Sequence, residues 1–255
     1  MIRILAFGAA PWLIAAAAAL SPAPSLADDA IAAPFQADYV VYRNGSELGQ
    51  ASMSLSALPD GQWLLETHTR GTRGLAAMAG VEIVERSTFA WHGDVPELSA
   101  YDYRQRMSFR NRERSLRLSD DGASITSRQD SNKTWQLRRE PDVIDRHAVV
   151  LALARKVAAD RPELSFRVAD RDDIETQRYR RAGDETVSVP AGTFEAVRID
   201  RIREKPGRET TTWFAKEIGF LPVKVLHSEA DGETIEMRLI ARPQNGAATA
   251  AASGD

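Results

Sequence analysis

"FQADYVVYRNGSELGQASMSLSA", residues 35–57, is the stretch that decides the fold. Phe35, Ala37, Tyr39 and Val41 keep a period of two, and the chain then meets Asn44-Gly45. Both turn residues tolerate positive φ, so the pair reads as a tight hairpin. The return run sets Met53, Leu55 and Ala57 against Ser52, Ser54 and Ser56. Strands with one apolar and one hydroxylated side belong to an antiparallel sheet packed on one face.

The pattern continues along the chain. Pro59-Asp60-Gly61 turns it before Trp63, Leu65 and Thr67. Residues 71–80, GTRGLAAMAG, have no strand period and read as a loop or short helical turn. Residues 81–91 resume the sheet, and in SAYDYRQRMSF Tyr101, Tyr103, Met107 and Phe109 oppose Arg104 and Arg106. A further strand over 112–119 ends at Asp120-Asp121-Gly122, with short strands around Ile125 and Trp135. Residues 145–160 predict the one convincing helix, with Asp145 as N-cap, an apolar stripe of Val149, Val150, Leu153, Ala154 and Val157, and Pro162 beyond its end.

Strands return with Leu164, Phe166 and Val168. In VPAGTFEAVRI, residues 189–199, Pro190 suits position i+1 and Gly192 position i+3 of a type I turn, and Phe194 is placed to plug the core. No helix follows the glycine, so this loop offers no row of free N–H groups to an anion. Residues 210–215 and two strands around Asp231-Gly232 complete the pattern, and 243–255 read as a disordered tail. Hairpin-length turns argue for antiparallel pairing rather than βαβ units. The expected architecture is mainly β: a large curved antiparallel sheet or incomplete β-barrel with the helix of about 145–160 packed on its concave face. A single domain is expected over 35–242, after a linker at 28–34.

The N-terminus carries a separate message. Arg3, the apolar run 4–20, and "SPAPSLA" with Ser25 and Ala27 form a secretory signal pattern, with cleavage expected after about Ala27 and a periplasmic destination. The run is short for a bilayer span and holds Pro11, and no later segment is apolar enough to cross, so no transmembrane segment is expected in the mature chain.

Composition narrows the function. The chain has no cysteine, which excludes disulfides, thiolate metal sites and cysteine nucleophiles. Without residues 1–27 the balance is 32 basic against 36 acidic residues, not that of a nucleic-acid binder. Histidines 68, 92, 147 and 227 form no metal motif, and "ADRDDIE" at 169–175 lacks the glycine and spacing of a calcium loop. There is no G-x-S-x-G, S-x-x-K, P-loop or dinucleotide fingerprint, so no cofactor and no catalytic residue is assigned.

Two features rise above this background. Glu85 falls in phase with Val81, Ile83, Phe89 and Trp91 on the presumed apolar face, where a carboxylate needs a partner. It is a structural partner for an inward Arg or Tyr, a register break by a bulge, or a polar anchor in a ligand cavity, with Tyr101, Tyr103 and Trp213 as further candidate wall residues. The second is RQRMSFRNRERSLR, where Arg104, Arg106, Arg110, Arg112, Arg114 and Arg117 face only Glu113. As a hairpin it is either a solvated outer face or a patch for phosphate-bearing lipids and other envelope polyanions.

"FQADYVVYRNGSELGQASMSL", "GVEIVERSTF", "YDYRQR", "VSVPAGTFEAVRIDRIRE" and "TTTWFAKEIGFLPVKV" together resemble the domain of unknown function 3108 family, over about residues 35–240. That resemblance implies an exported, β-rich bacterial envelope protein and supplies no catalytic residues. On architecture alone the chain also looks like the lipoprotein-carrier type of periplasmic half-barrel, in which a curved sheet and helical lid hold acyl chains. The expected function is a non-enzymatic binder of a lipid or amphipathic small molecule in the concave face. The alternatives are an interaction protein that docks on an envelope protein through the Arg-rich hairpin, and a hydrolase with an unrecognised site.

Overall fold

Apolar residues alternate with polar ones through most of the chain, and the result is one continuous sheet whose inner face is the core. The computed structural model describes residues 33–203, 207–242 and 244–245. The expected signal segment 1–27, residues 28–32 of the expected linker 28–34 and the tail beyond 245 lie outside the described residues. The first half forms β1 (Phe35–Arg43), β2 (Ser46–Ala57), β3 (Trp63–Gly71), a short helix α1 (Gly74–Met78), β4 (Glu82–His92), β5 (Val95–Arg106), β6 (Arg112–Leu118), β7 (Ser124–Gln129) and β8 (Lys133–Arg138). The second half forms β9 (Val143–Asp145), α2 (Val149–Ala158), β10 (Ser165–Asp170), β11 (Asp173–Val189), β12 (Gly192–Ile202), β13 (Glu209–Ala215), β14 (Leu221–Ser228), β15 (Thr234–Leu239) and β16 (Gln244–Asn245).

The strand order is β8-β7-β6-β5-β4-β3-β2-β1-β15-β14-β13-β12-β11-β10-β9. Two meanders therefore join where β15 pairs with β1, and the middle of the chain supplies both free ends of the sheet. β16 pairs with Phe35 and Gln36, the length of β1 that β15 leaves free. Two residues of the expected disordered tail are thus strand. The expected absence of βαβ units also needs correcting: β9 and β10 are parallel, connected through α2. With only three residues, β9 is too short to carry a periodic signal.

The helix is shorter than 145–160. It runs from Val149 to Ala158 and buries Val149, Leu151, Ala152, Leu153, Ala154 and Val157 against the inner face. Asp145 lies in β9 and receives the N–H groups of His147 and Ala148, both at 2.9 Å, so it caps the corner that leads to the helix. Phe194 is buried as expected, beside the two-residue turn Pro190–Ala191.

The sheet curls until its ends meet. β9 packs across β5 without sharing a ladder, and Leu98, Tyr101, Leu116, Ile125 and Leu137 form a second core with Val143 and Ala169. Arg114 reaches Asp170 at 3.6 Å across this seam. The barrel is thus closed by side chains rather than by backbone hydrogen bonds.

Antiparallel reversal sorts the loops between two ends. One end holds the β1–β2 turn, the α1 segment, the β5–β6 turn at 107–111, the β9–α2 corner and the β14–β15 turn. There α1 folds back onto the paired Gly49 and Gly71: a Cβ on Gly71 would stand 2.7 Å from the Ala76 Cβ, and one on Gly49 only 2.0 Å from the Arg70 carbonyl oxygen. No larger residue fits either position.

Candidate functional site

The inner face reads as rows across the ladder. One runs Ala37–Met53–Thr67–Glu85–Tyr103–Arg114. The next, toward the core, runs Leu55–Leu65–Ser87–Tyr101–Leu116. Glu85, Tyr101 and Tyr103 therefore share the concave wall. Trp213 does not: it lies in the outer row Val40–Arg238–Lys224–Trp213–Arg198, with its indole N–H donated to Glu185 at 2.8 Å. Its neighbours in sequence, Thr212 and Phe214, take the inner side.

Three consecutive side chains at the β9–α2 corner meet this wall. The Asp145 Oδ1 accepts from Ser87 Oγ at 2.8 Å. Arg146 donates to Glu85 Oε1 at 2.9 and 3.2 Å and to the Tyr101 hydroxyl oxygen at 3.0 Å, while Tyr101 donates to Glu85 at 2.7 Å. His147 Nδ1 lies 2.9 Å from Ser87 Oγ and its Nε2 2.8 Å from Thr67 Oγ1. Because the one Ser87 proton goes to Asp145, its oxygen can only accept from Nδ1–H, and Nε2 accepts from Thr67.

Glu85 and Arg146 are paired at this corner, while Asp145 takes its three donors on Oδ1 and leaves Oδ2 buried without a partner. Burial alone would raise the Glu85 carboxyl, but Arg146, His147 and the Tyr101 hydroxyl outweigh it and hold the group below its ordinary value. Burial, then Glu85, pushes Tyr101 far up. Burial raises Asp145 and depresses His147, so the imidazole is neutral. A hydrolytic reading of Ser87, His147 and Asp145 fails on this chemistry. Ser87 is fully buried, and its proton is committed to the carboxylate instead of being drawn off by the imidazole. The trio is a clasp that holds the edge strand β9 to β3 and β4.

The opposite wall differs. The inner row Arg43–Ile235–His227–Thr210 faces the same end of the barrel, and Arg201 and Arg203 follow in phase with the buried Val197 and Ile199. Thr210 Oγ1 and His227 Nδ1 are 3.0 Å apart. Arg201 pairs with Glu175 at 2.9 Å, whereas Arg203 makes one long contact to Thr210 at 3.5 Å and buries its Nε without a partner. Burial, then repulsion by Arg201 and Arg208, lowers Arg203. Burial, then Arg203 and Arg208, depresses His227, and Arg146 adds to the effect from across the interior. The His227 side chain is nevertheless exposed to solvent. The inner side of this open end, the recess, carries Arg201, Arg203, Arg208 and His227, with Glu175 and Glu229 paired to Arg201 and Arg208. Partly exposed Ile83, Val225, Ile235 and Met237 supply its apolar surface.

Arg201, Arg203 and His227 were not among the sequence candidates. The signal existed: Arg201 and Arg203 extend the apolar face of β12, the same criterion that singled out Glu85.

The Arg-rich hairpin divides between the two faces. Arg112 and Arg114 point inward beside Gln105 and Tyr103, with Arg114 5.7 Å from the Tyr103 ring centroid. Arg104, Arg106 and Arg117 stand outside, where with Arg86, Glu82, Val84 and Asp102 they line a depression of about 390 Å³. Arg117 is paired with Asp102 at 2.6 Å and Arg104 with Glu113 at 3.3 Å. Arg110 sits exposed in the turn. The six arginines are not one patch.

A profile described as a protein of unknown function, DUF3108, matches residues 38–240. The chain belongs to this family. No curated protein sequence is significantly similar to it. Among solved structures, the chain is similar to a β-barrel-like protein of another domain of unknown function, DUF1849, from Brucella abortus, at a TM-score of 0.53 and 10% identity over 84% of this chain and 98% of that one. That likeness concerns the fold alone. The MucA/MucB complex of Pseudomonas aeruginosa aligns at 15% identity and a TM-score of 0.34, over 89% of this chain and 56% of that one, a score too low to carry an inference. Among the described residues no helix is long and apolar enough to cross a membrane, and no cluster of His, Asp or Glu suits a metal ion.

Proposed function

We propose that this DUF3108 protein is an exported, periplasmic binder of an anionic amphiphile, which it holds in the recess at the open end of the barrel. The observation that carries the reading is Arg203, which has no carboxylate partner among the described residues and buries its Nε unpartnered, beside Arg201 and Arg208, which are held by Glu175 and Glu229, and beside partly exposed apolar side chains on the inner wall. A carboxylate or phosphate head group would accept from Arg203 and Thr210 and relieve the repulsion that the arginines exert on each other. An apolar tail would lie against Ile235, Met237 and Ile83. Glu85, Tyr101 and Tyr103 form the facing wall and set its shape rather than its affinity. Export is supported by the N-terminal pattern ending at Ala27.

The test is native mass spectrometry, with lipid extraction, of the protein purified from the periplasm. A co-purifying anionic lipid or fatty acid, lost in Arg203→Ala and retained in Arg104→Ala on the outer face, is the expected result. Protein that arrives empty and takes up neither oleate nor phosphatidylglycerol overturns the reading.

A further inference from the structure

Five large hydrophobic side chains stand exposed among the described residues, and four of them share one end of the barrel. Leu75 and Met78 on α1 are each 81% exposed, Phe109 in the β5–β6 turn 78%, and Ile202 at the end of β12 52%. The first three are held together: Ser108 donates both its N–H and its hydroxyl to the Ala79 carbonyl oxygen, each at 2.9 Å, which ties the Phe109 turn to the end of α1. Gly71, where no Cβ fits, lets α1 sit at this rim. A soluble protein does not keep three such side chains together on hydrogen-bonded neighbours without a use for them.

The surroundings say what would cover them. Arg106 and Arg110 flank the apolar tip with no carboxylate in salt-bridge range among the described residues, and Arg73 and Arg104 next to them are paired with Glu47 and Glu113, each at 3.3 Å. Below, on the outer wall, is the depression of about 390 Å³ with four arginines against two carboxylates. An apolar tip ringed by arginines matches the boundary of a bilayer with anionic head groups, where the side chains enter the acyl region and the guanidinium groups meet phosphates. We infer that the rim formed by Leu75, Met78 and Phe109 docks the protein on an anionic membrane surface. A second copy of the chain is a poorer occupant, because it would bring like charge against like charge. The inference stands on other residues than the recess, although docking there would turn the mouth of the recess toward the lipid.

The absence of cysteine makes the test clean. Asn111→Cys places a polarity-sensitive dye beside the tip, and Ser188→Cys places it at the far end. With vesicles of phosphatidylcholine containing about a quarter phosphatidylglycerol, the dye at 111 shifts to the blue and that at 188 does not. The shift at 111 is absent with pure phosphatidylcholine and weakens with salt. In flotation with the same vesicles, Leu75→Ser/Met78→Ser/Phe109→Ser binds at least about tenfold more weakly than the parent. Intact mass confirms that all forms share one N-terminus, so residues 4–20 cannot produce the difference. The triple variant retains the anionic lipid that the parent co-purifies from the periplasm, which separates this inference from the ligand reading. No shift at 111, equal shifts at both positions, or a triple variant that floats like the parent overturns the inference. So does a triple variant whose only change is loss of self-association in sedimentation.

Discussion

The two walls of the recess place charged side chains on the same inner face, and they do so to opposite ends. On the β3–β5 wall the interior charges are held by partners: Glu85 has Arg146 and Tyr101, and Asp145 collects three donors on Oδ1, although its Oδ2 has none. On the β12–β14 wall Arg203 and His227 repel rather than pair, and the Arg203 Nε is buried alone. Sequence phase alone cannot separate these cases, since Glu85, Arg201 and Arg203 all follow the apolar period. Pairing separates them. A satisfied interior charge closes the fold, and an unsatisfied one offers itself to a ligand.

The comparison breaks most visibly at Asp145. Asp145→Ala leaves the N–H groups of His147 and Ala148 and the Ser87 hydroxyl buried without an acceptor, with an expected cost of about 3 kcal/mol or more in urea unfolding. Asp145→Asn keeps an acceptor oxygen and, since burial already disfavours the charged form, costs clearly less. Equal losses in both variants would mean that the charge, not the acceptor, holds the corner. Next comes Arg146→Ala, which strands Glu85. Its side chain is about a third exposed, so water softens the loss to about 2 kcal/mol.

Arg203→Ala should do the reverse. It removes a repelled charge, so stability stays within about 0.5 kcal/mol of the parent or rises, while ligand retention falls. A loss as large as that of Arg146→Ala would show Arg203 to be structural and would erase the distinction between the walls.

Much of the fold was legible in residue patterns because it rests on them. Asn44-Gly45, the alternation of 35–57 and the Pro190 turn are local devices, and each sits where its pattern put it. What joins distant parts left little trace. β9 has three residues, the β1–β15 join spans the chain, and the clasp of Asp145, Arg146 and His147 depends on which strands lie opposite. Glu85 was legible as an interior charge, but its partner was not, because Arg146 sits in a turn with no period. Phe109 reads as the last inward residue of a strand, yet β5 ends at Arg106 and the ring stands in solvent. The division of the Arg-rich hairpin between two faces follows from pairing Tyr103 with Arg114, a register that composition does not set.

The smallest effect tests the mouth most directly. His147 and His227 are both depressed from the ordinary value of about 6.5, so the unfolded chain binds more protons than the folded one below that pH. Their contribution to stability is complete above about pH 6.5 and declines as the pH falls toward their folded values. Both have burial as the leading cause, but only His227 is depressed further by Arg203 and Arg208. Arg203→Ala should therefore raise His227 toward its ordinary value and leave His147 where it is, as followed by NMR titration of the ring protons. Acid destabilisation should become shallower by the share that His227 loses. A bound anion neutralises the same arginines and should move His227 in the same direction, so titration with oleate present and absent reports the head-group position without any mutation. A His227 that stays fixed in both experiments would mean that the arginine cluster acts on solvent alone, and the mouth would then be no different from an exposed basic surface.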